Sequence, residues 1–173
     1  EAVPEGRGTR QGGPQLSLLF VCTGNTCRSP MAEALARREA ERRGWTGFQV
    51  QSAGVAAPEG TRASGGAVRA GAARGLELGS HRARLLTAEL VERADLILAL
   101  SPGHLPAIEA LGGGGRAALL PAFAAGARPG DDEARGGPGI PDPFGGSDSR
   151  YLETLDILEA LVREAMDRLG EAP

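Results

Sequence analysis

The chain has 173 residues and a mass of 17.7 kDa, enough for one domain with a real core and too little for two. A net charge of −3 removes the electrostatic case for nucleic-acid binding, and no apolar run approaches the ~18 residues of a membrane span. Two cysteines cannot build a disulfide framework, and with no secretory leader pattern at the N-terminus the expected compartment is the reducing cytoplasm.

Residues 1–15, "EAVPEGRGTRQGGPQ", have no hydrophobic period and are expected to form a disordered tail ahead of a single domain over 16–173. "LSLLFV" (16–21) is a continuous apolar run, the pattern of a buried strand. Ser29 and Pro30 are expected as N-cap and first residue of a helix over 30–43, with Met31, Ala34 and Leu35 on one face. "FQVQSAG" (48–54) alternates as a half-buried strand does. A helix over 61–75 is weakened by Gly65, Gly66 and Gly71. Thr87 caps a short helix ending at Ala94, and "DLILAL" (95–100) is a second buried strand. Pro102 opens a helix to Leu111, and "AALLPAF" (117–123) reads as the last strand.

Gly112–Gly115 and Gly126–Gly139 are loops rich in Gly and Pro. From Tyr151 onward, Leu152, Leu155, Leu158, Val162, Met166 and Leu169 recur at helical spacing, which predicts a helix packed on the sheet. Strand and helix alternate throughout. The expected class is α/β, an open parallel sheet with helices on both faces.

The segment "VCTGNTCRSP" (21–30) carries the chemistry. It follows the first strand, at the carboxyl edge where open parallel sheets bind ligands, and it runs into a helix N-terminus, which favours an anion. Five residues separate Cys22 from Arg28, so the loop can curl its amides towards one point while Arg28 closes the ring with a bidentate fork. Gly24 permits close approach, and Asn25 tolerates left-handed geometry and can brace the loop. Cys22 at the floor is then expected to ionise far below ~8.5, in the range of ~3.5–7.5, and to act as a nucleophile. The alternative is a buried structural cysteine beside a tight turn.

Cys27 either fills the core or traps an oxidised Cys22 as a disulfide. Cys22, Cys27, His81 and His104 match no zinc spacing. All 19 basic residues are arginine, which excludes a Gly-x4-Gly-Lys nucleotide loop. A thiolate mechanism needs a proton for the leaving group. Asp142 of "DPFGG" (142–146) is expected at the same sheet edge, stiffened by Pro143 and walled by Phe144. Asp131, Asp132 and Glu133 compete but sit in a Gly-rich setting that cannot hold a side chain in place.

Cys22–Pro30, together with the late Asp-Pro-Phe, resembles the signature of the low-molecular-weight protein tyrosine phosphatase family; "SAG" (52–54) and "HRAR" (81–84) fall where that family has similar stretches. The resemblance covers roughly 16–169. It implies a four-stranded parallel sheet flanked by helices, Cys22 as nucleophile, Arg28 as phosphate clamp and Asp142 as acid, then base. It implies that Thr23, Gly24, Asn25, Thr26, Cys27 and Ser29, with Phe144, surround the substrate, and that Asn25, Ser29, Ser52 and His81 hold the loop by hydrogen bonds. No cofactor and no metal are implied, and the partners are phosphorylated proteins.

Within the family, "CTGNTCRSPMAE" and "DPFGGS" look most like the bacterial protein arginine phosphatases. Thr26 stands where phosphotyrosine-preferring relatives tend to carry a larger aliphatic residue, and "VAAPEG" (55–60) has no aromatic to hold a phosphotyrosine ring. The rivals are a tyrosine phosphatase of the same family, an arsenate reductase, and a non-catalytic redox sensor or phosphoprotein-binding module. A thioredoxin-coupled arsenate reductase needs relay cysteines that this chain does not have.

Overall fold

The computed structural model describes residues 12–171, so most of the expected tail lies outside the described residues. Gly12 is already held against the domain, its carbonyl accepting from the Thr46 amide at 2.8 Å. The strands are β1 (Leu16–Cys22), β2 (Phe48–Gly54), β3 (Leu96–Ala99) and β4 (Ala117–Leu119). The helices are α1 (Arg28–Arg42), α2 (Gly65–Ala73), α3 (Ala88–Arg93), α4 (Leu105–Ala110), α5 (Leu120–Ala124) and α6 (Asp148–Glu171). The four strands form one sheet in the order β2-β1-β3-β4, and every pair is parallel.

The central strand decides the layering. Side chains alternate across a strand, so Leu18, Phe20 and Cys22 face one core with α1, α2 and α6, while Leu19 and Val21 face a second core with α3 and α4. Burying a side chain such as Phe20, fully enclosed here, contributes roughly 1.5–3 kcal/mol. With both faces covered, the central strand shows no apolar–polar alternation, which is why it reads as a continuous apolar run. No helix among the described residues is long and apolar enough to cross a membrane.

Four expectations change. Ser29 does not cap α1: the helix starts two residues earlier, at Arg28, with Cys27 at the N-cap and no side-chain cap bond. The Ser29 hydroxyl is drawn instead into the site below. "AALLPAF" is not one strand, because β4 stops at Leu119 and Leu120–Ala124 is helical. Pro121 cannot donate to a strand ladder and suits the first turn of a helix, while an apolar run this short has no period that separates the two. The weak helix shrinks to α2, capped by the Ser64 side chain accepting from the Ala67 amide. Its glycines serve packing: a Cβ on Gly66 would sit 2.3 Å from the Tyr151 ring, so only glycine lets α6 lie against α2 there. The long loop before Asp142 is also less irregular than expected. It contains a short helical turn, Asp132–Arg135, and buries Ala134 and Ile140.

Candidate active site

β1 ends at Cys22, and the next residues turn sharply. Asn25 has φ 53°, the one positive φ at a non-glycine among the described residues. Asparagine tolerates that region because its short polar side chain bonds locally. The Asn25 Nδ2 group donates to Ser29 Oγ (2.8 Å) and to Ser52 Oγ (2.9 Å), and its Oδ1 accepts from the Arg84 amide (2.9 Å). His81 Nε2 donates to the Asn25 carbonyl at 2.7 Å. Asn25 is fully buried, so this completed set of bonds holds the turn where an unpaired amide would be costly.

Strand pairing sets the other wall. Cys22 lies opposite Gly54 in the parallel register, and a Cβ at Gly54 would sit 2.5 Å from the Thr23 carbonyl oxygen and 2.9 Å from the Asn25 nitrogen. The "SAG" stretch therefore supplies Ser52 as a brace and Gly54 as clearance for the loop backbone. The amides of Gly24, Thr26, Cys27 and Arg28 meet no protein acceptor among the described residues. Together with the α1 N-terminus they make an anion cradle.

Arg28 is buried, at 5% exposure. Its Nη1 donates to Ser101 Oγ (2.6 Å) and to the Ile140 carbonyl (2.9 Å). Both Nη1 hydrogens are thus used by the scaffold, and the Nε–Nη2 edge is left for a bidentate ligand. Nη2 lies 3.6 Å from Asp142 Oδ2. Asp142 is about half exposed, and its Oδ1 accepts from the Phe144 amide at 3.1 Å. A cavity of about 270 Å³ opens here, lined by Cys22, Thr23, Gly24, Thr26, Cys27, Arg28, Pro58, Asp142 and Phe144. Phe144 is 72% exposed and is the only aromatic residue in that lining.

The Cys22 thiol departs from expectation. Burial pushes it up from the ordinary cysteine value; the Ser29 hydroxyl, the Ser29 and Asn25 amides and the Arg28 charge pull it down without offsetting burial. Ser29 Oγ is 2.8 Å from the sulfur and the Asn25 nitrogen is 3.3 Å away. The sulfur lies at the end of a strand covered on both faces, and this burial has no signature in the loop motif. Cys27 is also buried, but among polar groups: Ser64 Oγ at 3.2 Å and Tyr151 Oη at 3.5 Å. Both cysteines are free thiols.

Every site residue expected from the sequence lies at this sheet edge. Sequence reasoning missed several others. Ser101 and Ile140 hold Arg28, and Ser64 and Tyr151 meet Cys27. None of the four belongs to a motif; only the fold brings them together. Glu33 is a fifth, with Oε2 at 4.0 Å from His81 Nδ1 and its carboxyl pushed up by burial.

A Cys-x5-Arg loop between the first strand and first helix of a parallel sheet, with an Asp-Pro loop facing it, is the architecture of a cysteine-based phosphatase. More narrowly, the chain belongs to the low molecular weight phosphotyrosine protein phosphatase family, whose model matches residues 17–172. It is 41% identical over 156 residues to the protein-arginine-phosphatase of Bacillus subtilis, covering 89% of this chain and 97% of that protein. It is 38% identical over 149 residues to a low molecular weight protein-tyrosine-phosphatase of Streptomyces coelicolor, covering 82% and 85%. Among solved structures it resembles a YwlE mutant from Bacillus subtilis, with TM-score 0.79, 38% identity and coverage of 90% and 99%. It also resembles a cysteine-to-serine mutant of the YwlE arginine phosphatase whose active-site serine is phosphorylated, with TM-score 0.78, 38% identity and coverage of 90% and 97%.

Proposed function

We propose that this protein is a cysteine-dependent protein phosphatase that hydrolyses phosphoarginine in proteins through a phosphocysteine intermediate. One observation carries the reading. A buried thiol, a guanidinium pinned from behind and a half-exposed carboxyl line one small cavity at a helix N-terminus. Such a cavity offers a nucleophile below, donors around and an acid above a tetrahedral phosphoryl group.

In the first step the Cys22 thiolate attacks phosphorus. The P–N bond breaks, and Asp142 gives its proton to the departing guanidine nitrogen. The Arg28 Nε–Nη2 edge and the loop amides hold the phosphoryl oxygens as charge builds on them. Asp142, now a carboxylate, then takes a proton from water. The hydroxide attacks phosphorus and Cys22 leaves as thiolate, returning inorganic phosphate. The phosphorylated active-site serine that replaces a cysteine in the YwlE mutant supports a covalent phospho-enzyme step.

The phosphoarginine preference rests on the protein-arginine-phosphatase relatives and on Thr26, half-buried in the cavity wall with its Oγ1 3.8 Å from Cys27 Sγ. A small hydroxyl leaves room for a planar, polar guanidine and can bond to it. Phosphotyrosine is the second reading: exposed Phe144 can stack on a ring, and several relatives are named tyrosine phosphatases. We infer reversible oxidation as well, with Cys27 trapping an oxidised Cys22 as a disulfide, and a cytoplasmic protein that acts on phosphoproteins and not on nucleic acid. The test compares hydrolysis of phosphoarginine, phosphotyrosine and phosphoserine peptides of one sequence. Preference for phosphoarginine is expected; a preference for phosphoserine, or no turnover of any of the three, overturns the reading.

A further inference from the structure

His104 lies outside the loop motif and outside the cavity lining, yet it touches two of the parts that make the cavity. It is buried at the end of the helical turn Pro102–His104, which follows β3. Its Nδ1 accepts from the Ser101 amide at 3.1 Å. A ring nitrogen that accepts carries no proton, so the neutral ring holds its hydrogen on Nε2. That nitrogen lies 2.9 Å from Thr23 Oγ1, which accepts. Thr23 lines the cavity, and Ser101 Oγ is the 2.6 Å acceptor for Arg28 Nη1.

We propose that His104 is a positioning residue for phosphate binding, a single imidazole in a fixed tautomer that locks Thr23 of the loop to the Ser101 support of Arg28. This rests on the phosphatase reading above. The two contacts are directional and need opposite roles from the two ring nitrogens, which only the neutral Nε2–H tautomer supplies. A protonated ring loses the Ser101 bond and sets a second cation beside Arg28. Burial and the Arg28 charge hold the imidazole well below its ordinary value, at about 4, against the smaller opposing effect of Asp142. The ring therefore stays neutral across the working pH range. The same ring also closes a capping box on its own turn, so a purely structural role is the rival.

The experiment uses the full chain and has a spectroscopic and a binding arm. Long-range proton–nitrogen NMR of the imidazole is expected to show hydrogen on Nε2 alone from pH 7 down to about 5. A hydrogen on Nδ1, or an imidazolium at pH 6, overturns the assignment. The binding arm titrates inorganic phosphate by calorimetry into the wild type, Thr23→Val, His104→Asn and the double variant. Asparagine places its Oδ1 near the position of Nδ1, so it can keep the Ser101 bond and the turn while failing to reach Thr23.

Each single change is expected to weaken phosphate about three- to tenfold, as the loss of one hydrogen bond does. The double variant is expected to be no weaker than either, since both remove the same contact. Ser101→Ala is expected to weaken phosphate too, and Ser101→Thr to restore it. Unchanged phosphate affinity in a folded His104→Asn protein, or fully additive losses, sinks the proposal, as does a wild type that binds no phosphate. Should phosphate binding follow the expected pattern while no phosphopeptide is turned over, the phosphatase reading falls and the His104 assignment stands.

Discussion

Ser29 Oγ lies 2.8 Å from the Cys22 sulfur, and the same oxygen accepts from Asn25 Nδ2. With its acceptor capacity engaged by Asn25, the Ser29 hydroxyl is free to donate its proton to sulfur, which favours the thiolate over the thiol. It is the largest of the groups that pull the buried thiol down. The Ser29→Ala change removes this donor, so the Cys22 midpoint should rise further and the thiolate fraction at pH 7 should fall. Alkylation rates of the Cys22 peptide, followed by mass spectrometry across pH, read this directly. A midpoint that stays put or drops means the hydroxyl does not serve the thiolate.

Asp142→Asn should hurt poor leaving groups most. A guanidine nitrogen leaves badly unless protonated, whereas nitrophenolate needs little help. General acid catalysis is commonly worth ~10²–10⁴-fold, so kcat on a phosphoarginine peptide should fall by about that factor and kcat on nitrophenyl phosphate by far less. Equal losses on both substrates remove Asp142 as the acid.

Thr26→Ile exchanges a hydroxyl for bulk at the cavity wall. It should lower kcat/KM on phosphoarginine and raise it on phosphotyrosine. Leaving a buried polar group without a partner costs about 1–3 kcal/mol, roughly five- to 150-fold in relative specificity. A ratio that moves less than about threefold takes the selectivity away from Thr26.

Mild peroxide should inactivate the protein reversibly through a Cys22–Cys27 disulfide. Cys27→Ala should keep most activity and make the damage irreversible, because no thiol then intercepts the sulfenic acid. If thiols rescue that variant as fully as the wild type, Cys27 only packs among Ser64, Tyr151 and the core.

Gly54→Ala should destabilise the fold, because the added Cβ collides with the Thr23 carbonyl and the Asn25 nitrogen, backbone atoms that cannot swing aside. Overpacking of this kind costs about 1–3 kcal/mol. Gly115→Ala is the control, since a Cβ there meets nothing within 4 Å. Urea midpoints compared at unchanged m-value check both. A Gly54→Ala protein as stable as the Gly115→Ala protein contradicts the close approach.

Local patterns in the sequence already determined several features of this protein. The apolar runs of β1 and β3 mark strands buried on both faces, and the Leu and Val spacing from Tyr151 marks α6, because burial imposes a period that local residues must carry. Cys22, Arg28 and Asp142 were legible too, because Cys-x5-Arg before a helix start and Asp-Pro-Phe are local patterns whose chemistry depends on spacing.

Tertiary structure decided what those patterns could not. Whether "AALLPAF" bends into helix at Leu120, and whether Ser29 caps α1 or turns to Cys22, depends on neighbours from distant segments. So does the direction of the Cys22 shift, which is set by how much protein closes over the sulfur. Ser101, His104, Ile140 and Tyr151 reach the loop from 73 to 124 positions away along the chain. No window of sequence contains both ends of such a contact; only the parallel order β2-β1-β3-β4, which gathers every strand's carboxyl end at one edge, brings them to the same few ångströms.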